Sequence, residues 1–374
     1  MLVKSIRLKN FRNYKEALFK DFEKINVFIG KNAQGKTNFI EALFFLIRAK
    51  SFKNAKDTEL ISFNEDFCEV EGIISLKNVE NSFKIQISRY DGKKYFLNDK
   101  EVILKNYKKA ISPVVFKPDD LYIVKNSPQD RRKYIDDILI SIDSIYAYNL
   151  SSYKKILFER NKILKDYNKN LKLLDIYDIQ LAKYGSKILI DRLKFLKNLE
   201  EFSKKYYKDL SKDDFKILYL STIPPKKSLE DTVDMYIKIL KTVRNRDLDL
   251  KITTIGPHRD DIDFKINDRS VKTYGSQGEI RSVVLSLKLG ELKLLTLKNN
   301  INPILLLDDV FSELDSERRN YLFNSIRDIQ TFITSTSAEN LKFNEAKYYL
   351  IENGTYKEIK WQIIGIMVLM ILRF

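Results

Sequence analysis

One cysteine and one histidine in 374 residues leave little room for several kinds of chemistry. Cys68 has no partner for an internal disulfide, and His258 alone cannot supply paired imidazole ligands, so disulfide scaffolds and zinc centres are excluded as organising elements. No apolar run approaches the ~20 residues of a membrane-spanning helix; the longest, 363–372, is about half that length. Charges interrupt the apolar residues of Met1-Leu2-Val3-Lys4-Ser5-Ile6-Arg7-Leu8-Lys9, so no signal-peptide core is read there. The expected compartment is the cytoplasm, and no membrane partner is expected. Internal repeats and low-complexity tracts are also lacking.

Aromatic residues are not scarce: 23 Phe and 21 Tyr, within 44% hydrophobic and 32% charged residues, mark a folded chain long enough for two or three domains. The net charge of +16 suits a polyanion such as nucleic acid or a membrane surface, although a Lys-, Ile- and Asn-rich composition yields the same excess with no partner.

Strands are expected at 5–8 and 25–29, the second followed by a loop and an almost wholly apolar helix over 38–49 that must be buried against a sheet. An antiparallel β-layer is expected over 69–76, 82–88 and 94–97, with a turn at Tyr90-Asp91-Gly92-Lys93. From about Pro128 the chain turns helical, over 130–144, 151–168, 176–208 and 229–242, breaking at 168–170 and Pro224-Pro225; these segments are too short for a long coiled coil. A helix over 277–298 and strands at 304–307 and 331–334 then restore the β/α pattern. The expected domains are a split lobe of 1–115 and 250–358, a helical lobe of 116–249 and an apolar extension of 359–374.

Gly30-Lys31-Asn32-Ala33-Gln34-Gly35-Lys36-Thr37 is a complete G-x-x-x-x-G-K-[ST] loop between a strand and a helix. Its backbone N–H groups wrap phosphates, Lys36 reaches the β and γ oxygens of ATP, and the Thr37 hydroxyl is offered to Mg²⁺. Pro303-Ile304-Leu305-Leu306-Leu307-Asp308-Asp309 reads as a buried parallel strand ending in carboxylates. Asp308 is the Mg²⁺ candidate, and Asp309 faces the γ-phosphate as orienter or base for the attacking water, or else caps the next helix. The two motifs stand 271 positions apart, so the nucleotide fold is split by an insertion.

Such a split fold resembles the ATP-binding-cassette head shared by SMC proteins and the RecF family, an α/β P-loop ATPase of mixed sheet and antiparallel β-layer with an inserted helical lobe. Tyr274-Gly275-Ser276-Gln277-Gly278-Glu279-Ile280-Arg281-Ser282 resembles the RecF form of the cassette signature, with Ser276 and Gly278 at the phosphate-contacting positions. Ser312-Glu313-Leu314-Asp315 resembles the loop that lines the partner's nucleotide, and Asp315 is carried over with it. Phe11-Arg12-Asn13-Tyr14, Phe116-Lys117-Pro118-Asp119-Asp120-Leu121, Ser127-Pro128-Gln129-Asp130-Arg131-Arg132 and Gly256-Pro257-His258-Arg259-Asp260-Asp261 are similar to RecF landmarks in order, over about residues 1–358. Cassettes usually place glutamate at 309, a switch histidine near Thr334-Ser335-Thr336 and, in the family, often glutamine at 279; RecF shares the first two departures, which imply slow hydrolysis. The resemblance implies an ATP-dependent homodimer on double-stranded DNA near single-stranded gaps, a RecR-type partner and assistance to RecA loading. A transporter cassette subunit and a DNA clamp with negligible turnover are the alternatives.

His258 beside Asp260 and Asp261 invites a triad or general-base reading; the other reading has Pro257 fixing a turn and Arg259 pairing with a carboxylate between lobes. Arg131-Arg132, Lys108-Lys109, Lys204-Lys205 and Lys226-Lys227 are candidates for DNA phosphates, or else solvated faces.

Overall fold

Alternation of apolar and polar residues in Leu2–Phe11 buries Val3, Ile6, Leu8 and Phe11 on one face, as half-buried strands require. In the computed structural model, which describes residues 1–107, 113–166, 171–336, 343 and 346–360, this is strand β1. Lys108-Lys109, the expected break at 168–170 and the tail beyond 360 lie outside the described residues. The chain forms two compact units, Met1–Asp120 with Leu295–Phe374, and Leu121–Leu294.

The first unit opens with β1, β2 (Tyr14–Lys20), β3 (Ile25–Ile29), α1 (Lys36–Arg48), β4 (Phe67–Leu76), β5 (Val79–Ser88), β6 (Gly92–Leu97), β7 (Lys100–Val102), α2 (Leu104–Tyr107) and β8 (Val114–Phe116). The second contains α3 (Pro128–Ile142), α4 (Ser144–Lys165), α5 (Leu171–Leu210), β9 (Phe215–Leu220), α6 (Leu229–Thr242), α7 (Arg244–Leu250), β10 (Asp261–Ile266), β11 (Arg269–Ser270), α8 (Val271–Tyr274) and most of α9 (Gln277–Asn299). The chain then completes the first unit with β12 (Leu305–Asp308), α10 (Ser316–Ser325), β13 (Thr331–Ser335), β14 (Ala346–Glu352) and β15 (Thr355–Ile359).

Two sheets build the first unit. One is antiparallel, in the order β2-β1-β4-β5-β6-β7; the other runs β15-β14-β3-β13-β12-β8, parallel except for β15. An aromatic cluster locks α1 against them: Phe39 lies 4.1 Å from Phe28 of β3 and 4.5 Å from Phe19 of β2, and Phe28 stacks on Tyr349 of β14 at 4.7 Å. All are almost fully buried. Because Phe39 follows Thr37 by two residues, this packing fixes where the helix begins.

In the second unit the expected helices are present, but the lobe is not purely helical: β9 pairs antiparallel with β10, which pairs with β11. That pairing corrects the expected boundary at 249/250. Residues 250–294 group with the second unit, because β10 pairs with β9 along its whole length and its Asp261 takes two hydrogen bonds from Arg131 of α3, each 2.8 Å. Arg160 binds Asp178 and Asp247, both at 2.7 Å, and Arg192 grips Asp136 with two bonds of 3.0 Å. These guanidiniums are buried, so loss of any one carboxylate strands a charge.

Phe39→Ala should destabilise the first unit by about 3–5 kcal/mol, read as an earlier denaturant midpoint; a loss below about 1 kcal/mol would show that the aromatic cluster does not hold α1.

Candidate functional site

Residues 30–37 connect the end of β3 to α1. Ala33 and Gly35 have φ of 63° and 118°, left-handed conformations of the kind from which anion-binding backbone nests are built. A side chain at 35 would also strike Asn13 at 2.7 Å, and a Cβ at 30 would meet the Ile351 carbonyl at 2.4 Å, so both glycines are sterically required.

Two hairpins clamp the loop. From the β1–β2 turn, Asn13 Nδ2 donates to the Gln34 carbonyl at 2.9 Å and Tyr14 donates its hydroxyl to the Gly35 carbonyl at 3.0 Å. From the β14–β15 turn, the Asn353 N–H donates to Gln34 Oε1 at 2.7 Å and the Gly354 N–H to the Gln34 carbonyl at 3.0 Å. Arg12 forks onto the fully buried Glu41 at 2.9 and 3.0 Å, tying the same turn to α1.

Lys36 Nζ donates to the carbonyls of Gly30 and Lys31, at 2.7 and 2.8 Å, curling over the loop it belongs to. Burial pushes its pKa below the ordinary lysine value, opposed by Asp309 and Asp308. Thr37 Oγ1 donates to Asp308 Oδ1 at 2.8 Å, joining the loop to the end of β12. Thr334 of β13, the strand between β3 and β12, donates to the same oxygen at 2.8 Å, and its hydroxyl accepts the Asp309 N–H at 3.0 Å.

Asp309 has a left-handed φ of 56° ahead of the short turn Val310–Ser312 and makes no side-chain cap, so the capping alternative fails. Burial raises its pKa, with Lys36 opposing and Asp308 adding to the effect, and its buried Oδ1 has no hydrogen-bond partner among the described residues. Lys36, Thr37, Asp308 and Asp309 are thus brought together as expected. Thr37 and Asp308 bring hard oxygens within 2.8 Å of one another, a donor set that fits Mg²⁺ and would hold it beside the loop.

Asp315 caps α10, accepting from the Arg318 N–H at 2.9 Å and from its guanidinium, and the first of these chiefly holds its carboxyl below the ordinary range. In the second unit Ser276 and Glu279 cap the start of α9 reciprocally: Glu279 Oε2 accepts the Ser276 N–H at 2.7 Å, and Ser276 Oγ accepts the Glu279 N–H at 3.3 Å. Gly278 lies in the first turn of that helix.

Three expectations need correction or closure. Arg131 is buried and bound to Asp261 and to the carbonyls of Val124 and Asn126, leaving nothing for DNA. Arg259 pairs with no carboxylate among the described residues; its Nε donates to the Thr253 carbonyl at 3.2 Å, because Asp261 is held by Arg131, while Tyr219 and Thr222 hold Asp260. His258 has both ring nitrogens engaged, with Tyr153 at 2.7 Å and the Thr253 carbonyl at 3.1 Å, and burial lowers its pKa to about 4; it is a neutral structural residue. Thr334 and the Asn353-Gly354 clamp were not anticipated, although Asn-Gly between two apolar runs is a hairpin signal.

The RecF/RecN/SMC N terminal domain family matches residues 2–357. A DNA replication and repair protein RecF of Clostridium perfringens is 41% identical over 361 residues, 95% of this chain and 99% of that protein. The chain belongs to the RecF family. A RecF of Bacillus thuringiensis is 39% identical over 368 residues, 95% of this chain and 98% of that one. Among solved structures, the recombination mediator protein RecF with ATP, of the RecFOR pathway, aligns with a TM-score of 0.88 at 32% identity, over 96% of this chain and 97% of that one. An SMC head domain of Pyrococcus furiosus, bound to the C-terminal domain of ScpA, shares the fold with a TM-score of 0.56 at 16% identity, over 100% of this chain and 99% of its own. The fold is therefore that of the RecF and SMC ATPase heads, as the split motifs imply.

The buried imidazole has a testable consequence. Its folded pKa near 4 lies below the unfolded value of about 6.5, so the unfolded chain binds the extra proton. Stability should be full above pH 6.5 and decline toward pH 4, by roughly 3 kcal/mol. Gln in place of histidine keeps one donor and one acceptor without titrating. Denaturation of the parent and of His258→Gln across this range should diverge as pH falls; parallel curves would show that the imidazole is protonated in the fold.

Proposed function

We propose that this chain is an ATP-driven switch that binds DNA in replication and recombinational repair. The observation that carries the reading is the 2.8 Å bond from Thr37 to Asp308, which joins a phosphate-binding loop to an acidic strand end 271 positions away, in a chain whose relatives across almost its full length are DNA replication and repair proteins. Those relatives also weigh against the transporter cassette alternative.

ATP binds with its phosphates in the loop of residues 30–37, and Lys36 moves from its own carbonyls to the β and γ oxygens. Thr37 and Asp308 would hold Mg²⁺, which when bound would neutralise phosphate charge. Asp309 orients and deprotonates the attacking water, and its raised pKa fits that task. Hydrolysis is slow, since the carboxyl is one methylene short and residues 334–336 carry no imidazole, so it times release. Two ATP-bound heads pair, with Ser276, Gly278 and Asp315 of each completing the nucleotide site of the other. The pair grips duplex DNA near single-stranded gaps in the cytoplasm, engages a RecR-type mediator and assists RecA loading.

Lys36→Ala should abolish tight ATP binding without unfolding the chain, whereas Asp309→Asn should bind ATP normally and turn it over about 100-fold more slowly. Fluorescent-nucleotide titration and phosphate release measure both; parental turnover in Asp309→Asn would remove that residue from the chemistry. DNA affinity should fall steeply between about 50 and 200 mM salt, and a flat response would contradict an electrostatic grip.

A further inference from the structure

The second unit contains a cavity of about 530 Å³, walled by α3, α4, Arg192 of α5 and the turn at Pro257-His258-Arg259. Cationic side chains outnumber carboxylates around it. The wall carboxylates are spent: Asp136 takes both bonds from Arg192, and Asp137 pairs with Lys133 at 2.9 Å. Arg132, Lys154 and Arg259 have no carboxylate partner among the described residues. Arg132 places one nitrogen on the Asp260 carbonyl and Arg259 its Nε on that of Thr253, leaving further N–H groups on both. Burial lowers the pKa of Arg132, with the neighbouring Arg192 next in effect. Ile140, Leu150 and Leu157 add an apolar surface to the same cavity.

We infer that this cavity is a nucleotide-unit site separate from the loop of residues 30–37: Arg132, Lys154 and Arg259 hold a phosphate, and Ile140, Leu150 and Leu157 take the sugar and base. A volume of 530 Å³ is in the range of small-ligand sites and excludes a base-paired duplex, so the ligand is one unit of a single strand or a free mononucleotide. The single-strand source rests on the DNA-binding reading above; the phosphate chemistry does not.

The test uses the full chain and Lys154→Ala/Arg259→Ala, two exposed positions outside the ATP site. Probes are a short labelled oligothymidylate, a blunt duplex of equal length, thymidine monophosphate and fluorescent ATP. The double variant should bind the single strand roughly tenfold more weakly, with a salt slope shallower by about 1, while ATP affinity stays parental and duplex affinity changes by less than about twofold. Loss of thymidine monophosphate binding with unchanged oligonucleotide affinity supports the site with a free nucleotide as its source. Parental binding of both, with an unchanged salt slope, overturns it. A parent that binds neither DNA form contradicts the DNA-binding reading instead, and the mononucleotide titration then decides the cavity.

Discussion

Asp308 is the point at which the two ends of the first unit become one site. Its Oδ1 accepts from Thr37, at the start of α1, and from Thr334, on the strand between β3 and β12. The glycine-rich loop brings N–H groups and an ammonium, and the acidic strand end brings a carboxylate beside them. The parallel order β3-β13-β12 puts both strand ends on the same edge, and the aromatic cluster around Phe39 keeps the helix start from drifting. The hairpin turns at Asn13 and Asn353-Gly354 then hold the loop from outside, so its conformation is fixed by bonds within the unit.

The second unit is organised on a different principle. Buried Arg131 and Arg192 tie elements together through carboxylates and carbonyls, and buried Arg160 through two carboxylates and the Thr253 hydroxyl. Such pairs contribute little net stability relative to an apolar core, but breaking one is costly. The same commitment of carboxylates inside the unit leaves Arg132, Lys154 and Arg259 in positive surplus around one cavity.

The loop motif, β3 and α6 were legible in the sequence to the residue, because a composition-poor glycine run, a continuous apolar strand and a capped amphipathic helix are local signals. Asp308 and Asp309 were legible for the same reason. What escaped were features set by partners distant in sequence. Phe215–Leu220 sits in a helical stretch, and only its pairing with Asp261–Ile266 makes it a strand and moves the unit boundary to 294. Thr334 reads as an ordinary β-former until β13 is seen between the two motif strands. Arg131 and Arg259 carry the same charge, and burial beside Asp261 separates the structural one from the exposed one. Glu279, a departure from the family pattern, turns out to cap α9 with Ser276.

If the anion-seeking start of α9 serves a second copy of the chain, ATP turnover needs two heads, each supplying what the other lacks. Mixing Lys36→Ala, which spoils the loop, with Ser276→Arg, which spoils the α9 start, tests this directly, since one composite site of each mixed pair is then intact. An ATP-gated pair predicts two inactive proteins that regain partial ATPase activity when combined, in proportion to mixed pairs formed; a Ser276→Arg protein that hydrolyses ATP at the parental rate, independently of protein concentration, would contradict it.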